Sequence, residues 1–409
     1  MTKFYDAVSN RLIKYAKINS QSKFNTNLIV STPYQYDMAQ TLYDELVYLN
    51  VQSYFDKDHC IVYGKINKNT KEGTPFALIT HIDTAPDAPG NNVKPWILKN
   101  YDGKDIVLNK EKNIIMSPNE FKNLLNYVGS DLILTDGTTL LGGDDKAGIA
   151  AVMTLVEYIM KNPNIKHNTI EVIFTPDEEV GGLAKDLDLN RLESKFAYTL
   201  DGDHLGNYSF ETFNALEALI NIKGLSVHTG TAKGIMINAL TLASNLLQSL
   251  PQHERPEYTS GKEGFYHPIE LVGNCENAKL RINIRDFDID EFNNKKDLIC
   301  RLVANINLKY GNIATLEFRN GYPNMSKYIL EKPYIINNLV KAIRDSGNLA
   351  IELPFRGGTD GAALSRRGLP CPNLSSGYEN AHGRFEYVPI QNMEQNVLIL
   401  LQLVDIYSK

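Results

Sequence analysis

The stretch FALITHIDTAPD, residues 76–87, is an apolar run that ends on His81 and Asp83. In a strand, side chains two apart point to the same face, so both residues address one object. Three more segments end on groups of the same kind: GGDDKAG brings Asp144 and Asp145, TPDEEVGG brings Glu178 and Glu179, and YTLDGD brings Asp201. His382, in YENAHGR, is a late addition. Imidazole nitrogen and carboxylate oxygen are the donors of a catalytic zinc site that keeps one position open. Two such ions can share a bridging carboxylate and a bridging hydroxide. A set of His81, Asp144, Glu179, Asp201 and His382 balances them, because three carboxylates and one hydroxide cancel two doubly charged cations. Glu178 is then left uncoordinated and free to act as general base. Asp83 is placed to accept the second ring N–H of His81, which fixes the tautomer of a metal-bound histidine.

Residues with such spacing need elements that carry them to one place. Residues 76–79, 169–175 and 196–200 read as short buried strands, and 149–160 as a buried helix. Helical periodicity also covers 4–20, 33–49 and 334–346. Strands alternating with helices predict an α/β fold, with a mainly parallel mixed sheet covered by helices on both faces. The carboxyl ends of its strands form one rim, where sites assemble. Between 214 and 320 the order changes to β-α-β-β-α-β, the ferredoxin-like arrangement. The expected organisation is therefore a first catalytic part at 1–213, an inserted α+β domain at 214–320, and a second catalytic part at 321–409. Residues 91–129 read as largely polar and irregular. Asp145 is expected to cap the helix that follows it, since aspartate suits a helix N-terminus.

Composition narrows the partners. The 409 residues are 43% hydrophobic and 22% charged with net charge −6, and the basic residues form no stripe that would suit a nucleic acid. No segment reaches the length of about 20 apolar residues that a membrane helix needs. The four cysteines are widely spaced and suggest neither a disulfide framework nor a CxxC metal site. The N-terminus has no apolar signal region, so a cytoplasmic protein is expected.

The combination HIDTAPD, LLGGDDKAGIA, TPDEEVGG, YTLDGD, VHTGTAKGIMINA, IRDFD and GGTDGA resembles the peptidase T family, the tripeptide aminopeptidases of the di-zinc peptidase and deacylase superfamily. The resemblance runs over essentially the whole chain. It implies two Zn²⁺ per subunit, for which Co²⁺ or Mn²⁺ can substitute, and release of the N-terminal residue from tripeptides by metal-bound hydroxide. It also implies homodimerisation or lid function for the inserted domain. By motif, His81, Asp144 and Asp201 hold one ion, and Asp144, Glu179 and His382 the other. Asp144 is chosen over Asp145 as the bridge by this resemblance, which also implies a cis peptide between the two. Glu178 is the implied base, Asp83 the partner of His81, and His228 an oxyanion stabiliser, often across a dimer. Asn238, Arg285 and Arg356 are candidates for the peptide's carboxylate or backbone. A dipeptidase or N-acyl amino acid deacylase of the same superfamily is the alternative activity, and a catalytically silent binding protein a further one. His204, in DGDHLGNYSF, departs from the family pattern and is expected either on the surface or at the metal rim.

Overall fold

The computed structural model describes residues 3–182 and 184–409, in two compact units. The first comprises residues up to Phe210 together with Tyr328–Leu353 and Gly358–Lys409. Its eight-stranded sheet runs in the order Gln52–Asp56, Ile61–Ile66, Ile170–Thr175, Phe76–His81, Ala197–Leu200, Asn373–Leu374, Asn207–Ser209, Ile351–Glu352. The central strands from Ile170–Thr175 to Asn373–Leu374 are parallel, and the Gln52–Ile66 hairpin adds antiparallel strands at one edge. This is the expected mixed α/β sheet.

The central strands read as apolar blocks because both faces are covered. Val62, Phe76, Leu78, Val172, Phe174 and Tyr198 pack into a large core with the helices Tyr5–Ala16, Gln35–Tyr48, Gly143–Lys161, Tyr334–Asp345 and Ile390–Tyr407. The alternate residues Ile61, Ala77, Ile79, Ile173 and Ala197 face a second core, closed by Leu364 of the helix Asp360–Arg366 and by Leu187 and Leu192. A rim at the strand ends is thereby held from both sides.

The reading of 91–129 as irregular is corrected. Trp96–Leu98 pairs with Leu132–Leu134, and Ile106–Asn109 forms a hairpin with Ile114–Met116. These strands bury Tyr101, Ile106, Leu108, Met116 and Leu124 in a small core with Tyr387. They are three or four residues long, too short to show a period in the sequence.

The second unit comprises Glu211–Lys327 and Pro354–Gly357. Its antiparallel sheet has the order Phe265–Gly273, Asn277–Asp286, Asn214–Lys223, Ala314–Tyr322, and the helices Ala239–Gln248 and Ile289–Tyr310 connect strands in the order β-α-β-β-α-β. Leu280, Ile282 and Ile284 alternate inward beneath Ala243, Leu246, Ile299 and Val303 of the two helices. The segment 354–357 joins this unit through a bridge between Thr212 and Phe355, a pairing that the linear chain does not announce.

Candidate metal centre

Three adjacent parallel strands deliver the first donors. His81 is the last residue of its strand and lies beside Thr175, while Ile79 lies beside Thr199. Two residues beyond that pair, His81 and Asp201 are level at the rim. Past Thr175 the chain turns at Pro176 and Asp177 into a short 3₁₀ turn that carries Glu178 and Glu179. Asp144 sits at the start of the helix Gly143–Lys161, and the Asp144–Asp145 peptide is cis. His382 comes from the loop between Asn373–Leu374 and Val388–Pro389.

These residues form two groups that share one member. Donor atoms of His81, Asp144 and Asp201 lie within 4.8 Å of one another, and so do those of Asp144, Glu179 and His382. The Oδ1 of Asp144 is 2.9 Å from Nε2 of His81, while its Oδ2 is 3.3 Å from Nε2 of His382. The same His382 nitrogen is 3.0 Å from Oε2 of Glu179. The donor chemistry fits cations. Carboxylates outnumber the histidines, and Oε1 of Glu179 is buried with no hydrogen-bond partner among the described residues. A buried unpaired carboxylate oxygen is costly unless something positive meets it.

The electrostatics show the same deficit of positive charge. Burial works against ionisation of Asp144, yet hydrogen bonds from His382 and His81 hold its carboxyl well below the usual range. Burial, then the charge of Asp144, pushes Glu179 up to about 7 and Asp201 to about 6. Glu178 is also raised well above the usual range, by burial and by the charge of Asp201. His382 is pushed up to about 11 by its hydrogen bonds with Asp144 and Glu179.

Asp83 does more than the spacing suggested. Its Oδ1 is 3.3 Å and its backbone oxygen 3.2 Å from Nδ1 of His81. It also accepts the backbone N–H groups of Glu178 at 3.0 Å and Glu179 at 3.2 Å. One buried carboxylate therefore ties His81 to the glutamate turn. Asp177 braces the other side of that turn, accepting from Ser31 and from Nε2 of Gln35 at 2.7 Å. We expect Asp83→Asn to weaken metal binding by roughly 10–100-fold, read by competition with a chromogenic chelator. An unchanged affinity would contradict this coupling.

The capping role expected for Asp145 is not observed. Gly142 occupies the N-cap without a side-chain hydrogen bond, and Asp145 is buried, accepting from the Ser376 hydroxyl. A Cβ on Gly148 would lie 2.4 Å from Oδ1 of Asp145, so that approach requires glycine. Four participants went unnoticed in the sequence. Tyr378 donates to Asp201 at 3.2 Å, and Ser376 to Asp145. Asp360, in the GGTDGA motif, accepts from Thr175 at 2.7 Å while its other oxygen is buried without a partner among the described residues. Glu386 is the fourth. The signal it gave was a carboxylate inside the apolar run 385–388, which asks for buried donors. His204 pairs with Glu379 rather than with a proposed metal donor.

The other predicted residues belong to the second unit. His228 is exposed, and its Nδ1 accepts the N–H of Gly230 at 3.2 Å. Asn238 caps the helix Ala239–Gln248 by accepting from the N–H of Thr241. Arg356 donates to the carbonyls of Gly261 and Glu263 and to the Thr259 hydroxyl, and its own carbonyl accepts from Arg285.

Residues 210–313 match the family model of the peptidase dimerisation domain of the M20 group. Peptidase T of Geobacillus kaustophilus is 44% identical over 401 residues, covering 98% of both chains, and peptidase T of Clostridium acetobutylicum is 43% identical over 406 residues, covering 99% of this chain and all of its own. Among solved structures, aminopeptidase PepT from Bacillus cereus superposes with a TM-score of 0.78 at 22% identity, with 99% of each chain covered. A Bacillus subtilis protein described as a dinuclear metal binding peptidase of the M20 family gives 0.68 at 13% identity, covering 98% of this chain and 97% of its own.

Proposed function

Because the chain belongs to the peptidase T family, and is thus a metal-using aminopeptidase, we propose that it releases the N-terminal residue of tripeptides with two divalent ions, Zn²⁺ by preference, and with Glu178 as general base. The observation that carries this reading is the pair of three-donor groups sharing Asp144. His81, Asp144 and Asp201 would hold one ion, and Asp144, Glu179 and His382 the other. When bound, the ions polarise the scissile carbonyl and make water a better acid.

The chain's own groups supply the rest. Glu178 lies outside both donor groups, and its raised proton affinity suits a group that takes a proton from water and returns it to the leaving amine. Asp83 sets the position of Glu178 through its backbone N–H. His228 is proposed to donate a ring N–H to the developing oxyanion. Asn238, Arg285 and Arg356 are proposed for the peptide's carboxylate or backbone; each also has a partner within its own unit. The second unit is proposed to form a homodimer, and the cytoplasm is the proposed compartment. No helix among the described residues is long and apolar enough to cross a membrane.

A tripeptide, a dipeptide and an N-acyl amino acid assayed side by side test the substrate class. The tripeptide is expected to be cleaved fastest, with the free N-terminal amino acid as product. Preferential hydrolysis of the acyl amino acid would overturn the reading.

The raised carboxyls set a pH dependence. Asp201 and Glu179 titrate near 6 and 7 in the folded metal-free protein, against about 4 unfolded. The folded state then binds the extra protons, so metal-free stability falls as pH rises from about 4 to 7. His382 and His81, both raised, add stability that is complete below about 6.5 and is lost at higher pH. Calorimetry on metal-free protein should therefore give a higher Tm at about pH 5.5 than at pH 8, and added Zn²⁺ should raise Tm more at the higher pH. A metal-free Tm that climbs over this range would contradict it.

A further inference from the structure

One buried carboxylate outside the donor groups gathers three backbone N–H groups from the loop that carries Asp144. The Oε2 of Glu386 accepts from Leu141 at 2.9 Å and from Gly142 at 2.7 Å. Its Oε1 accepts from the N–H of Asp144 itself at 2.9 Å. The two partners are more than 240 residues apart in sequence. Glu386 is 2% exposed, so water does not compete for these bonds. Nearby, burial lowers the Lys146 ammonium to about 7, against the opposing pull of the Glu386 and Asp83 charges.

Elsewhere on the loop, Leu140 donates to the carbonyl of Pro89 at 3.0 Å and the carbonyl of Gly142 accepts from the N–H of Lys146 at 3.2 Å. The Gly142 N-cap makes no side-chain hydrogen bond, and the backbone at Asp144 is not yet helical. Gly143 lies against the same residue: a Cβ there would be 2.6 Å from Val388 and 3.1 Å from Oε1 of Glu386. The loop is thus clamped face-on to the 386–388 segment, which fixes the direction in which the Asp144 carboxylate leaves the backbone.

We propose that Glu386 is the positioning residue of the metal centre: by accepting the N–H groups of Leu141, Gly142 and Asp144, it holds the Asp144 carboxylate aimed at both His81 and His382. This rests on the assignment of Asp144 as the bridging ligand. Glutamine in its place keeps the shape but turns an NH₂ group toward N–H donors, which breaks at least one of the three bonds. Aspartate keeps the charge and shortens the reach.

The test compares wild type with Glu386→Gln and Glu386→Asp, using Zn²⁺ alone as the probe in competition with a chromogenic chelator. Both variants are expected to bind Zn²⁺ roughly 10–100-fold more weakly, with a lower kcat on a tripeptide, an unchanged KM, and activity recovered by excess Zn²⁺. Wild-type affinity and kcat in Glu386→Gln would overturn the positioning role while leaving the metal centre intact. A wild type that binds no Zn²⁺ would overturn both. If the variants do not fold, hydrogen exchange of the metal-free wild type decides. The peptide containing 141–144 should exchange slowly at these three amides, and fast exchange there would overturn the proposal.

Discussion

Glu178→Gln is expected to lower kcat on a tripeptide by about 10³-fold, within the range for loss of a general base, with KM and metal content unchanged. The separation follows from the geometry. Glu178 is absent from both donor groups, and what fixes its place is its backbone N–H on Asp83, which the substitution leaves intact. Glutamine conserves volume and polarity but takes no proton from water. Burial and the nearby Asp201 charge raise the proton affinity of Glu178 in the metal-free site. Bound cations work in the opposite sense and return it toward the working pH, where a base is most effective. A variant that kept more than a tenth of wild-type turnover would remove Glu178 from the mechanism.

On the proposed two-ion reading, Asp144→Asn is expected to abolish metal binding in both donor groups and bring hydrolysis to background. Its two oxygens face different histidines, Oδ1 toward His81 and Oδ2 toward His382, so one substitution strikes both donor groups. An amide removes the shared negative charge and turns an NH₂ toward one of the ions. Asp201→Asn touches only the group that contains His81. It should leave the Glu179–His382 group able to bind, giving a chain with one tightly held ion. Metal analysis after dialysis separates the two outcomes. An Asp144→Asn protein that retained two ions at wild-type affinity would show that the carboxylate does not bridge.

Much of the rim was legible because parallel strands buried on both faces are written as unbroken apolar blocks. Phe76–His81 and Ile170–Thr175 end where the polar donors begin. The second unit was legible through alternation at Leu280, Ile282 and Ile284 and the long amphipathic helix Ile289–Tyr310. What escaped depends on distant partners. Asp145 looks like a local cap, but its partner Ser376 is 231 residues away. Glu386 looks like a charge beside a strand, and its donors lie on the loop 141–144. Asn238 and Arg356 carry the right chemistry for a peptide, and the sequence does not announce that one also caps a helix and the other also meets the carbonyls of Gly261 and Glu263. Local propensity describes a residue's options, and tertiary contacts select among them.

The most direct test is a titration of metal-free protein with Zn²⁺, following bound metal and tripeptide hydrolysis in the same samples. Two donor groups sharing Asp144 predict saturation at two ions per chain, with activity reaching its plateau as the second site fills. Full activity with no bound metal, or saturation at two ions without any peptide hydrolysis, would contradict the account.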